Sequence, residues 1–369
     1  MRFSSKAVAG LMLAGLATTS LAACGSSDKG SASGDFCGKN IAFLGALSGD
    51  AGALGQNMVN GINLALKEYN AKNADCKISL KKFDSQGDPA KAPALATQII
   101  NDDSIFGLIG PGFSGESLAT GKTFFEAGLP SISPSATADA ITQSGWTTWH
   151  RVIGNNDTQG KAGVSYLTGT IGAKKVFVVD DGQDYSKGLA ATVKKALGSN
   201  MVDSDQISVG DTNMSAVVQA VKASGADAVY YAGYYTEAGL LVKQLRQGGF
   251  KGTYMSGDGS EDPHFVQVAG PQAAEGAILT APAGPAPKSF DATGLYATQA
   301  YDASNIFLAA VEKGVKTEKD LNDFIGSYTG EGVSGPIAFD DKGDIKQTTI
   351  YAYFVKDGKL QVNTPKAIS

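Results

Sequence analysis

Three groups of loop residues carry the side chains that can hold a small charged molecule. The first is Gly110-Pro111-Gly112-Phe113-Ser114-Gly115, which follows an apolar run and precedes a helical pattern. A turn of this kind presents the free N–H groups and partial positive charge of a helix N-terminus, which suits a phosphate or a carboxylate. Ser114 adds a hydroxyl there, or caps the helix. A dinucleotide fingerprint belongs after the first strand of its unit, with an acidic residue about 20 positions on. Here the motif follows a third strand, and Gly128–Ser135 contains no acid. The second loop, Pro134-Ser135-Ala136-Thr137, is built of small residues, and the Thr137 hydroxyl can donate or accept. The third group is Asp180–Tyr185, Gly233–Glu237 and Tyr254–Gly259, which put Tyr185, Tyr234 and Asp258 on loops after strands. Together the loops offer hydroxyl and amide donors for a carboxylate, and one carboxylate with aromatic faces for an ammonium. That is the complement of a zwitterion.

The same inventory argues against catalysis. His150 and His264 are the only histidines, far apart and in no metal-ligand spacing. No G-x-S-x-G surrounds Ser114, because Glu116 stands two residues after it. Asp180, Asp181 and Asp184 lack the spacing of a calcium loop and read as a solvated acidic turn. We therefore expect no enzyme, no cofactor and no metal. With 31 basic and 36 acidic residues, a net charge of −5 and no Lys/Arg block, nucleic acid is not an expected partner.

These loops need a scaffold that brings strand ends together. Short apolar strands alternate with amphipathic segments: Ile41–Gly45, a helix near Gln56–Asn70, Ile78–Phe83, a helix near Pro89–Asn101, Ile105–Gly110, a helix Ser114–Ala127 and a strand near Pro130–Ser133. Pro89 fits the first turn of its helix. A second series runs from helix Gln159–Ile171 through strand Val176–Asp180, helix Ser186–Leu197, a strand near Asp205–Val209, helix Met214–Ser224, strand Ala228–Ala232 and helix Glu237–Gly248 to strand Gly252–Ser256. Such alternation implies parallel sheets with helices on both faces, here two doubly wound α/β lobes. The chain crosses near Arg151–Asn156 and again at Ala281–Pro287, and the helical pattern Gly294–Val311 returns to the first lobe. Strands Ile337–Asp340 and Ile350–Val355 end the chain. The expected lobes are 36–154 plus 282–335 and 155–281 plus 336–369, joined by a multi-crossover hinge. Ligands in such sheets bind beyond the carboxyl ends of the strands.

The first 23 residues read as a signal peptide: Arg2 and Lys6 precede an apolar run too short to span a membrane. Leu21-Ala22-Ala23-Cys24 resembles a bacterial lipobox, in which Cys24 would carry the lipid. The Gly/Ser-rich stretch to residue 35 would be a flexible tether. The remaining Cys37 and Cys76 precede two strands by a few residues each. If those strands are parallel neighbours, the cysteines lie at one sheet end and form a structural disulfide.

Much of the chain resembles the leucine/isoleucine/valine-binding proteins of bacterial ATP-driven importers, with the type I periplasmic-binding fold. The resemblance rests on Gly45-Ala46-Leu47-Ser48-Gly49, Phe83–Pro89, Gly110–Ser117, Pro134–Thr137, Asp184-Tyr185, Tyr230–Glu237 and Gly335-Pro336. It implies that Ser114 and Thr137, with the backbone of Phe113 and Ser135 and the Ala136 loop, form the carboxylate and ammonium site. Tyr185 and Tyr234 would close over the ligand, and Asp258 would stand where the family uses an acid, often glutamate, for the ammonium. Leu54 departs from the aromatic residue common at its position, and Tyr296 would form another wall. The implied function is an exported lipoprotein, monomeric, that captures a small amino acid, branched-chain or otherwise apolar, by hinge closure. Its partners would be the membrane, through the lipid, and the ABC permease. The alternative is a sensor presenting an amino acid, amide or aromatic acid to a receptor.

Overall fold

The computed structural model describes residues 36–369; the expected signal peptide, Cys24 and the tether to residue 35 lie outside them. Five parallel strands make the first sheet: β1 (Asn40–Gly45), β2 (Ser79–Asp84), β3 (Ile105–Ile109), β4 (Ser131–Ser133) and β5 (Trp149–Arg151). Their order is β2-β1-β3-β4-β5. All of β3 is buried, as a strand covered by helices on both faces must be, while the edge strand β2 shows water its Lys81 and Lys82. The second sheet contains β6 (Val176–Asp180), β7 (Met201–Gln206), β8 (Ala228–Ala232), β9 (Thr253–Ser256) and β10 (Ile278–Ala281). These are parallel in the order β7-β6-β8-β9-β10.

After β10 the chain returns to the first sheet through the helix Ala297–Glu312, which packs on the helix Gly52–Lys72. A Cβ at Gly61 would stand 2.0 Å from the Ala297 carbonyl oxygen, so only glycine lets these helices approach so closely. A ribbon of β11 (Thr329–Gly332) and β12 (Gly335–Ala338) follows. Then β13 (Tyr351–Lys356) adds antiparallel to β10, flanked by β14 (Lys359–Leu360) and β15 (Lys366–Ala367). The chain thus passes between the sheets three times, after β5, after β10 and before β13.

Cys37 and Cys76 form a disulfide with Cα atoms 4.6 Å apart, at the amino ends of the parallel neighbours β1 and β2. Four sequence expectations shift. The helix expected from Pro89 begins at Ala92, with Pro93 in its first turn, and Pro89 lies in the turn before it. The helix expected over Gln159–Ile171 starts at Asn156, because the Asn155 side chain accepts the Thr158 N–H, and its last turn, Tyr166–Thr170, is wider. The strand near Asp205–Val209 is Met201–Gln206, a half-exposed edge whose apolar pattern is weak. Finally, residues 336–345, expected with the second lobe, pack against the first: Phe339 meets His150 edge-on at 5.1 Å, and Asp344 pairs with Arg151.

Candidate functional site

In each sheet the strand order reverses between the first strand of its series and the third, and a crevice opens beyond the carboxyl ends there. In the first sheet the reversal lies between β1 and β3, in the second between β6 and β8. The loops after β3 and β4 and the loops after β6, β8 and β9 meet at this level. They line a small, narrow cavity.

The wall from the first sheet is Leu54, Gly112, Phe113, Ser114 and Ser135. It is a pair of laced loops. Ser133 donates to the Pro111 carbonyl at 2.7 Å and Ser135 to the Gly112 carbonyl at 2.6 Å, while Ser114 accepts from the Ala138 N–H at 3.2 Å. Gly110 turns the chain at φ 120°, where a Cβ would sit 2.6 Å from the Leu44 oxygen. The lacing aims the N-terminus of the helix Ser114–Ala127 at the cavity. Glu116 secures that helix start by accepting the Phe113 N–H at 3.2 Å and bonding Ser85. Burial pushes the Glu116 carboxyl up to about 7 against the pull of those two bonds.

The facing wall is Tyr185, Tyr234, Asp258 and Gly259, with Tyr296 from the returning crossover. Asp258 is 1% exposed. Tyr185 donates to one of its oxygens at 2.7 Å and Tyr296 to the other at 2.6 Å. The Gly259 N–H in turn donates to the Tyr185 oxygen at 3.1 Å. Burial raises the Asp258 carboxyl above the usual carboxylate range, and the phenol bonds offset part of that rise. Among the described residues no lysine or arginine pairs with it. Tyr234 stacks obliquely on Phe113 at 5.5 Å and on Tyr185 at 5.2 Å, closing an apolar flank across the two walls.

The structure therefore brings together Leu54, Phe113, Ser114, Ser135, Tyr185, Tyr234, Asp258 and Tyr296. Ala136 and Thr137 do not line the cavity. Their carbonyls bond toward the crossover: the Ala136 carbonyl accepts from Arg151 at 3.1 Å, and the Thr137 carbonyl accepts from the Asn156 N–H at 2.8 Å. The Thr137 hydroxyl is buried without a partner among the described residues. Tyr296 does more than wall the cavity, since its phenol holds Asp258. It reaches there from φ 69°, a left-handed backbone that a bulky residue adopts only when its surroundings impose it.

Residues 39–359 match the periplasmic binding protein family. The chain belongs to that family. It is 30% identical over 325 residues to the leucine-specific-binding protein of Salmonella typhimurium, covering 83% of this chain and 88% of the relative. It is 29% identical over 327 residues to the Leu/Ile/Val-binding protein of Escherichia coli, again covering 83% and 88%. A branched-chain amino acid transporter substrate-binding protein of Streptococcus pneumoniae, solved with isoleucine, superposes with a TM-score of 0.82 at 27% identity. That match covers 89% of this chain and 99% of the other. The architecture is the two-lobed type I periplasmic-binding fold.

For a periplasmic binding protein the crossovers are where the lobes must move, and one of them holds a residue that the sequence pattern does not single out. Arg151, fully buried at the end of β5, donates to the Ala136 and Ala138 carbonyls at 3.1 and 3.0 Å, to Thr142 at 3.3 Å and to Asp344 at 2.6 Å. It ties the Ser135–Thr137 loop to the segment entering the third crossover. The signal available in the sequence was a lone arginine between apolar residues, Trp149 and Val152 among them, where a charge must be paired to be buried.

Proposed function

We propose that this protein is the extracytoplasmic solute-binding component of an ATP-driven importer and that it captures an α-amino acid between its lobes. The observation that carries the reading is Asp258: a buried carboxylate, held by two phenols and paired with no cation among the described residues, on the wall of the cavity opposite a helix N-terminus and Ser114. An α-ammonium supplies the missing charge, and the α-carboxylate takes the helix N-terminus. Ligand seats first on the Gly112–Ser114 wall; Tyr185, Tyr234 and Asp258 then close over it, and the closed form docks on the permease. The flank of Leu54, Phe113 and Tyr234 is apolar, which favours a branched-chain or other small apolar side chain, as do the ligands named for the relatives. On this reading Cys24 carries the lipid that holds a monomeric protein outside the membrane. The experiment is a thermal-shift screen of the protein against the common amino acids, their α-hydroxy and amide analogues, and aromatic acids, since a true ligand raises the unfolding temperature by mass action. Shifts with aromatic acids or amides and none with amino acids overturn the ligand class. Transport needs its own readout: loss of amino-acid uptake on deletion supports an importer, and unchanged uptake with an altered amino-acid response supports a sensor.

A further inference from the structure

Asp258 has a neighbour with the same want of a cation. Glu261 is 5% exposed. Burial, then the negative charges of Asp262 and Asp258, push its carboxyl well above the usual range, and no hydrogen-bond donor among the described residues offsets them. Asp262 beside it is occupied by His264, at 2.5 Å. Glu261 instead lines a wide groove together with Gln56, Asn57, Gln299 and Tyr353 and the crossover Ala283–Pro287. Exposed Lys288, which also lines the groove, makes no ion pair with it among the described residues. The groove and the smaller cavity share one wall residue: Tyr296, whose phenol holds Asp258, lines both.

A buried carboxyl that lacks partners and lines an accessible groove is costly to keep unless something with a positive charge visits it. The amide and phenol oxygens of the groove lining are acceptors for the N–H groups of such a visitor, and Asp258 and Asp262 add to the negative field. We propose that the groove is a second subsite of the ligand cleft and takes a cationic side-chain end, an ammonium or a guanidinium, tethered past Tyr296 to the α-amino-acid head group. This rests on the amino-acid reading above and extends it: besides apolar side chains, the cleft accepts basic ones.

The test is calorimetric titration of the full chain with leucine, norleucine, 2,4-diaminobutyrate, ornithine, lysine and arginine. A series of tether lengths is needed because the cation must reach Glu261 from a fixed head group. At least one basic ligand should bind ten-fold or more tighter than norleucine. Glu261→Gln should remove that preference and leave leucine within two-fold. Should the variant unfold, the ratio of basic ligands to norleucine on the unaltered protein decides alone. Binding of leucine with none of the basic ligands competing overturns the subsite and leaves the head-group reading intact; binding of no α-amino acid overturns both. Leucine affinity that rises with added methylammonium or sodium, and does so only with Glu261 present, also overturns the tethered form, because the cation is then free.

Discussion

Replacing Asp258 with asparagine keeps the size of the side chain and removes its charge: one phenol keeps an oxygen to donate to, the other turns to accept from the amide NH2, and the ligand loses its counter-ion. Breaking a buried ion pair by removing one partner typically costs about 3–5 kcal/mol. At about 1.4 kcal/mol per decade, amino-acid affinity should fall by roughly two to three and a half orders of magnitude. The ligand-free protein should respond the other way. Its Asp258 carboxyl is raised above the unfolded value by burial. A raised acid is fully compatible with folding below the unfolded pKa and becomes a liability as pH climbs from there through the folded pKa. Asp258→Asn removes that liability, so the empty variant should be at least as stable as the parent at neutral pH. Titration calorimetry with the best amino acid from the screen, paired with thermal unfolding of the empty protein, reads both effects. Unchanged affinity refutes the assignment of Asp258 to the ammonium. Lost affinity together with a destabilised empty protein refutes it as well, because Asp258 would then be a structural residue.

Arg151→Met strands Asp344 and the carbonyls of Ala136 and Ala138, and should cost about 3–5 kcal/mol of folding stability in chemical denaturation. Where the variant folds, ligand affinity should fall too, since the loop carrying Ser135 loses its tie. Glu116 has a carboxyl raised to about 7 from 4.5, so the protein should lose about 3 kcal/mol of stability as pH rises between those values. Glu116→Gln should flatten that part of the stability-against-pH curve, and an unaltered curve refutes the shift. Replacing Cys37 and Cys76 with serine releases a loop with a sequence separation of 39, worth about 4 kcal/mol of unfolded-state entropy. Stability should drop by that order while ligand affinity stays constant, because the bridge lies at the amino ends of β1 and β2, away from the cavity.

The sequence made most of the scaffold legible because buried parallel strands are continuous apolar runs, and Ile105–Ile109 or Val176–Asp180 can hardly read otherwise. Edges and short pieces were harder: β7 is half exposed, and β5 has three residues, too few to show a period. The cavity residues were found from loop position and side-chain type, which is why Ser114, Tyr185, Tyr234 and Asp258 stand together in it. Thr137, in the same loop as Ser135, is buried outside the cavity lining with its hydroxyl unpartnered among the described residues, because loop composition does not say which residue of a turn lines the cavity. The phenol of Tyr296 on Asp258 and the tie of Arg151 to Asp344 join residues 38 and 193 positions apart, and the bare carboxyl of Glu261 depends on the absence of a partner. Neither long-range pairing nor a missing partner leaves a local pattern to read.

The uncompensated carboxylates also bear on how the cleft closes. Closing the lobes strips water from Asp258 while giving it only neutral donors in return, the phenols of Tyr185 and Tyr296 and the Gln159 amide, so without ligand its charge works against the closed form. Opening restores the water. An α-ammonium reverses the balance: it is best paired where Asp258 is most desolvated, so its preference for the closed state is largest there. A ligand shifts such an equilibrium only by its differential affinity for the two states, and moving it from about 1:99 to 99:1 takes about 5.5 kcal/mol. The roughly 3–5 kcal/mol assigned to the Asp258 pair supplies much of that difference. The remainder falls to Tyr234, whose ring meets Phe113 across the walls, and to the helix start at Ser114. A neutral substitute at 258 should therefore weaken binding and also loosen the coupling between binding and closure, so that even saturating ligand leaves a larger open fraction. Small-angle scattering at saturation distinguishes the two effects, because weaker binding alone leaves the saturated protein as compact as the parent.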